Sequence, residues 1–140
     1  MIGYSGTPLA KKLGIKANHK IYLHNAPDNY LALLGLLPEN VVFLDSLVEK
    51  ADMIHIFAEQ AAELEIALLL LKDKIVQKGA IWVSWYKKAA KIPTDITEDV
   101  VRDKALPLGL VDIKVCAVDE KWSGLKLVIR VENRGNEVRD

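Results

Sequence analysis

The sequence holds a single cysteine, Cys116, and no surplus of charge of either sign. One thiol forms no disulfide within the chain, and it rules out a zinc site built on several cysteines. Lysine plus arginine number 19 and aspartate plus glutamate also 19, so the formal net charge is zero. A nucleic-acid binder carries a basic field that neutralises phosphates, and none exists here over the whole chain. No nucleic-acid partner is expected. Long apolar runs are missing too. The longest, Ile66–Leu71, falls far short of the about 20 residues that cross a bilayer, so no membrane partner is expected either. The opening Met1-Ile2-Gly3 lacks the charged-then-apolar pattern of an export signal, and Ile2 stands where myristoylation requires glycine. With neither export signal nor disulfide, the expected compartment is the cytoplasm.

What is present suits a core. Of 140 residues, 51% are hydrophobic and 27% charged, which excludes disorder as the dominant state. A chain of this length buries about two-thirds of its unfolded surface as one domain. That domain is expected over 1–134, with a polar tail over 135–140. No internal repeat, low-complexity tract or linker divides it.

Along the chain, Gly3-Tyr4-Ser5-Gly6 reads as a flexible opening. Thr7-Pro8 starts a short helix that Gly14 stops. A first strand covers Ile21–Leu23 and ends at Asn25-Ala26-Pro27. Asp28 then caps a helix carrying Tyr30, Leu31 and Leu34, ended by Gly35 and Pro38. Val41–Leu44 and Met53–Phe57 have the composition of strands. The longest helix is expected from Glu63 to Val76, closed by Lys78-Gly79, with a strand at Ala80–Trp85 directly after. Another helix starts at Asp95 or Thr97, Glu98 giving a capping-box spacing from Asp95, and stops at Pro107 and Gly109. Two last strands, Val111–Val118 and Leu125–Val131, are joined by Asp119–Gly124. This alternation predicts an α/β fold, a Rossmann-like three-layer sandwich whose mostly parallel sheet ends in an antiparallel hairpin.

The peptides Ser5-Gly6-Thr7-Pro8-Leu9-Ala10-Lys11-Lys12-Leu13-Gly14-Ile15, Trp82-Val83-Ser84-Trp85, Pro93-Thr94-Asp95 and Gly109-Leu110-Val111-Asp112-Ile113-Lys114-Val115-Cys116-Ala117-Val118-Asp119 resemble a bacterial family catalogued as domain of unknown function 3052. The resemblance runs from Gly3 to Arg134 and implies no activity. A looser similarity of architecture concerns class I methyltransferases: Gly79 before a strand, then a helix, then a strand pair joined by a hairpin. Fold analogy of this kind says little about chemistry.

In dinucleotide and S-adenosylmethionine folds the ligand sits at the first strand–helix turn, which needs close backbone approach and free N–H groups. Here that turn is Asn25-Ala26-Pro27-Asp28-Asn29, without glycine. Pro27 lacks an N–H, and Asp28 puts negative charge where a phosphate would sit. The turn is hostile to an anion, and less so to a methionine-type cofactor. Asp45 ends the second strand, 20 residues after Asn25, where such folds keep a ribose-binding acid; an acid there also serves as an ordinary turn residue. Lys87 and Lys88 follow Trp85 at the carboxyl end of a central strand and suit a carboxylate, phosphate or nucleotide. They equally suit a solvated loop with lysines lying over a tryptophan. Trp122 is either a packing anchor or, with Trp85, the wall of a cleft for a flat ligand. Asp95 completes the candidate ligand-binding set of Asn25, Asp28, Asp45, Trp85, Lys87, Lys88 and Trp122.

Catalytic constellations are missing. His24 and His55 lie on neighbouring strands without a third ligand, so no metal is expected, and each reads as a strand residue under a helix or facing water. Ser84 is within a strand and in no G-x-S-x-G elbow, and Cys116 is mid-strand as a small hydrophobe. On the long helix, Ala61, Leu64, Ala67, Leu68, Leu71 and Ile75 form a stripe for the sheet, leaving Ile66, Leu69, Leu70 and Val76 at its back. Another element of the chain covers them, or a second copy does, as a homodimer. The sequence therefore favours a non-catalytic binding or regulatory module that uses its strand-end loops for a protein partner or small molecule. The alternative is a diverged methyltransferase-like or other small-ligand enzyme. No cofactor is assigned.

Overall fold

In the computed structural model, residues 7–134 are described; the expected flexible opening at 3–6 and the polar tail at 135–140 lie outside them. Gly14, at φ +82°, closes α1 (Leu9–Leu13) in the left-handed conformation that glycine adopts without strain. Pro8 takes the N-cap position rather than the first helical turn. β1 (Lys20–His24) leads through the Asn25–Asn29 turn to α2 (Tyr30–Leu34), where Asn29 and not Asp28 holds the N-cap position, without a side-chain cap. After β2 (Val42–Phe43) come β3 (Ala51–Phe57) and α3 (Ala61–Leu71).

The expected helix to Val76 ends five residues early. The chain turns at Lys72–Lys74, and β-branched Ile75 and Val76 open the long strand β4 (Ile75–Tyr86). Val76 is thus a strand residue, not part of the back of a helix. Gly79 lies inside this strand and stops nothing. Ile75 pairs with Ala51 but Ala80 already pairs with Met53, so four residues of β4 bulge opposite Asp52. A Cβ on Gly79 would stand 2.8 Å from the Asp52 carbonyl oxygen, so only glycine fits this approach. α4 (Glu98–Ala105) is capped by Thr97, whose hydroxyl accepts from the Val100 N–H. β5 (Leu110–Ala117) and β6 (Trp122–Ile129) complete the chain, and the link between them is shorter than expected, taking Trp122 into β6.

The six strands lie in the order β2-β1-β3-β4-β6-β5. The first four pair in parallel, and β6 runs antiparallel to β4 on one side and β5 on the other. Helices cover both faces, so the fold is the expected Rossmann-like α/β sandwich with antiparallel pairing at one end. Side-chain alternation along the strands feeds two cores. Ile54, Ile56, Ile81, Val83 and Trp85 pack on one face with Leu64, Leu68 and Val101 of α3 and α4. Ile21, Met53, Phe57, Trp82 and Trp122 pack on the other with Leu9, Leu13, Tyr30 and Leu34 of α1 and α2. Trp82 is fully buried and donates its Nε1–H to the Leu13 carbonyl at 2.9 Å, which fastens α1 to the sheet.

Candidate functional site

Parallel strands bring their carboxyl ends to one rim, and the antiparallel β6 brings its amino end there too. In sheet order the rim carries Asp45 after β2, Asn25 and Asp28 after β1, Glu59 and Gln60 after β3, Lys87 and Lys88 after β4, and Trp122 opening β6. Asn25, Asp28, Asp45 and Lys88 are exposed, Lys87 half-buried. Asn25 sits at φ +60°, a left-handed conformation that asparagine tolerates better than most residues. The turn after β1 therefore makes the tight bend that sequence reasoning reserved for glycine.

Trp85 and Trp122 do not face one another. Trp85 belongs to the core under α3 and α4, whereas Trp122 lies on the opposite face, stacked on Tyr86 with ring centroids 4.0 Å apart. Phe57 meets Trp122 edge-on at 4.9 Å, extending the aromatic group into the core. Burial pushes the Tyr86 phenol up, and the nearby Glu59 carboxylate adds to it. Asp95 is used locally: its Oδ1 accepts from the Ala61 N–H at 2.7 Å, capping α3 across 34 residues of chain. Beside it the Thr94 hydroxyl donates to the Glu59 carbonyl at 2.6 Å, so the loop after β4 is clasped to the turn after β3. At that turn Glu63 Oε1 accepts from the Glu59 and Gln60 N–H groups at 2.7 and 3.2 Å.

Beneath the rim lies a buried polar chain that sequence reasoning did not assemble. The Tyr30 hydroxyl is 2.8 Å from His55 Nδ1, and His55 Nε2 is 2.8 Å from Ser84 Oγ. A neutral imidazole has one donor and one acceptor nitrogen, so one hydroxyl donates to the ring and the other accepts from it. His55 stacks on Phe57 at 4.3 Å and has no exposure, and burial holds its pKa down to about 3. Burial likewise pushes the Tyr30 phenol up, with a smaller contribution from Cys116. The chain links the start of α2, directly after the Asn25–Asn29 turn, to β3 and β4. His24 takes no part: it pairs with Ile56 and so faces away from His55. Cys116 is a half-buried free thiol whose pKa burial raises against the pull of Lys12, Lys114 and Lys87. The signal for the network was a histidine within the apolar strand Met53–Phe57, which demands a partner once both faces of the sheet are covered.

The fold is similar to that of class I S-adenosylmethionine methyltransferases. The B. subtilis M1A22 tRNA methyltransferase TrmK matches with a TM-score of 0.52 and 15% identity, over 87% of this chain and 64% of that one. Ribosomal protein L11 methylase from Lactobacillus delbrueckii subsp. bulgaricus matches at 0.56 and 11% identity, covering 87% and 75%. Magnesium protoporphyrin IX methyltransferase from Synechocystis PCC 6803, solved with bound S-adenosylmethionine, matches at 0.56 and 12%, covering 87% and 74%. The chain thus spans under two-thirds of the tRNA enzyme's length. No family model matches the chain, and no curated protein does. These neighbours overturn the expectation of a non-catalytic module and favour its alternative. The Asn25–Asn29 turn is hostile to a phosphate, and a sulfonium cofactor carries none. Among the described residues no helix is long and apolar enough to cross a membrane.

Proposed function

We propose that the chain is an S-adenosylmethionine-dependent methyltransferase whose cofactor lies over β1 and β2 and whose methyl acceptor lies over β4 and β6. The observation that carries the reading is the sheet, four parallel strands with β6 inserted antiparallel between β4 and β5, joined to a sharply bent turn at Asn25. The residues fit the group. Asn25 supplies the bend, Ala26 keeps the turn thin, and Asp28 suits a cationic sulfonium or ammonium where it would repel a phosphate. Asp45 stands where a carboxylate accepts from ribose hydroxyls. Bound there, the cofactor supplies a methyl group on a positively charged sulfur, ready for transfer to a nucleophile.

The rest of the work falls to this chain's residues. β2 and β6 lie four strands apart, about 19 Å at the usual inter-strand spacing of about 4.8 Å, which separates the acids from the stacked Tyr86 and Trp122. That pair offers a flat apolar platform for an acceptor, Glu59 a carboxylate to orient its nucleophile, and Lys87 and Lys88 a positive field. The Tyr30–His55–Ser84 chain holds the cofactor turn against β3 and β4. The neighbours act on a tRNA, a ribosomal protein and a porphyrin by their names, so the fold alone assigns no acceptor.

Isothermal titration with S-adenosylmethionine and S-adenosylhomocysteine tests the reading. Both are expected to bind, and Asp45→Asn to weaken them about tenfold or more, the loss of one charge-assisted hydrogen bond being about 1.5–3 kcal/mol. Absence of heat for either ligand at millimolar concentration would sink it.

Two further readings attach to this one. The outer face of α3, with Ile66, Leu69 and Leu70 exposed at 62%, 53% and 64%, supports association with a second copy. The free Cys116 suits a cytoplasmic setting, and the proposal treats 1–134 as a single domain.

A further inference from the structure

At the opposite rim, under the carboxyl end of α1, lies a cavity of about 310 Å3 lined by Gly14, Lys16, His19, Asp52, Lys78 and Lys126 among others. Lys126 projects from β6 on the face that α1 covers, opposite Trp82. It is half-buried, yet among the described residues neither it nor Lys16 nor Lys78 joins an ion pair. Nearby acceptors each already hold another donor. The Leu13 carbonyl accepts from Trp82 Nε1, and the Lys12 carbonyl from Lys114 Nζ at 2.9 Å. Asp52 Oδ2 accepts from the Lys20 N–H at 2.7 Å, and His19 Nδ1 from the Lys16 N–H at 3.1 Å. Burial, with Lys114 and Lys16 repelling, pulls the Lys126 ammonium below its usual pKa. A Cβ on Gly14 would stand 3.1 Å from Lys126 Nζ, so the glycine leaves the ammonium room to point into the cavity.

A partly desolvated cation without a partner costs the fold that holds it some stability, and an anion in the cavity relieves that cost. We propose that this cavity binds a small phosphorylated ligand, a phosphate monoester or diphosphate, through Lys16, Lys78 and Lys126. Three ammonium groups against the one carboxylate of Asp52 leave the lining with two positive charges, which match a phosphate dianion better than a carboxylate. The volume is that of a small-molecule cleft rather than of a track for a polynucleotide. The site is separate from the strand-end rim, and its test requires neither cofactor nor methyl acceptor.

Inorganic pyrophosphate is the probe, titrated into the full chain by calorimetry and thermal shift at ionic strength held constant with sodium chloride. Binding is expected with a raised Tm, and Lys126→Met is expected to weaken it about ten- to a hundredfold, as loss of a charge-assisted bond does. The same variant without pyrophosphate is expected to be at least as stable as the native chain, which a purely structural lysine would not give. Pyrophosphate binding unchanged in Lys126→Met, or a Tm rise that chloride alone reproduces, overturns the proposal. Binding of a single-stranded RNA oligonucleotide without pyrophosphate binding overturns it as well. Should Lys126→Met fail to fold, the exposed Lys78→Gln decides: weakened binding supports the site, unchanged binding refutes it.

Discussion

His55 brings a titratable ring into a layer of the sheet with no exposure, and both its nitrogens are engaged by hydroxyls. The ring stays neutral in the folded chain down to about pH 3, whereas an unfolded histidine takes up its proton near pH 6.5. Below that value unfolding consumes a proton, so this residue's contribution to stability is complete above about pH 6.5 and is lost progressively toward about pH 3. Urea unfolding followed against pH is expected to show His55→Gln with a shallower acid dependence than the native chain, by about one proton. Identical slopes for the two chains would show that the ring titrates normally. Little of this was legible in the sequence, because Tyr30, His55 and Ser84 stand 25 and 29 residues apart and only the sheet brings them together. Asn25, Asp28, Asp45, Lys87 and Lys88 could be picked out for the opposite reason. Their position at strand ends follows from local pattern, although the left-handed conformation of Asn25 does not.

Helix limits depend on contacts that the local pattern does not hold. α3 is apolar nearly all round, so periodicity alone gives no reason to end it at Leu71, and it places Ile75 in the helix stripe rather than in a strand beside Ala51. The local pattern offers Asp95 or Thr97 as the cap of the helix that follows, and Asp95 is not that cap. It caps the previous helix instead, through the Ala61 N–H, while Thr97 caps α4. Asp95→Ala is therefore expected to destabilise the chain by about 1 kcal/mol, the usual effect of losing a cap, measured by urea unfolding. Hydrogen exchange should locate the loss at the first turn of α3 and not at the first turn of α4; protection lost in α4 instead would reverse the assignment. Arg102 ties α4 to β5 by donating to Asp112 at 2.9 Å, and it also pairs with Glu98 and Asp99 of its own helix.

For the molecule as a whole, the alternation of strands and helices was enough to predict the α/β sandwich and its antiparallel end. The insertion of β6 between β4 and β5 was not legible, since a hairpin in sequence does not say which of its strands meets the sheet. The outer face of α3 belongs to this scale too, for no described element covers Ile66, Leu69 or Leu70. Size-exclusion chromatography is expected to find the native chain as a dimer and Leu69→Lys as a monomer. Equal elution volumes would leave those side chains as ordinary exposed residues.

The place of β6 also sets an order on how the sheet is completed. Among the described residues β5 has no partner except β6, and the open side of β4 is filled by β6 as well. On the ribosome, every other strand emerges before the one that joins these two. Until residues 122–129 leave the exit tunnel, the nascent chain carries a bare edge on its longest strand and a following strand with nothing to pair with. Such edges recruit other chains. The interval between synthesis of β5 and release of β6 is when this protein is most exposed to misassembly, and a holding chaperone would have most to protect.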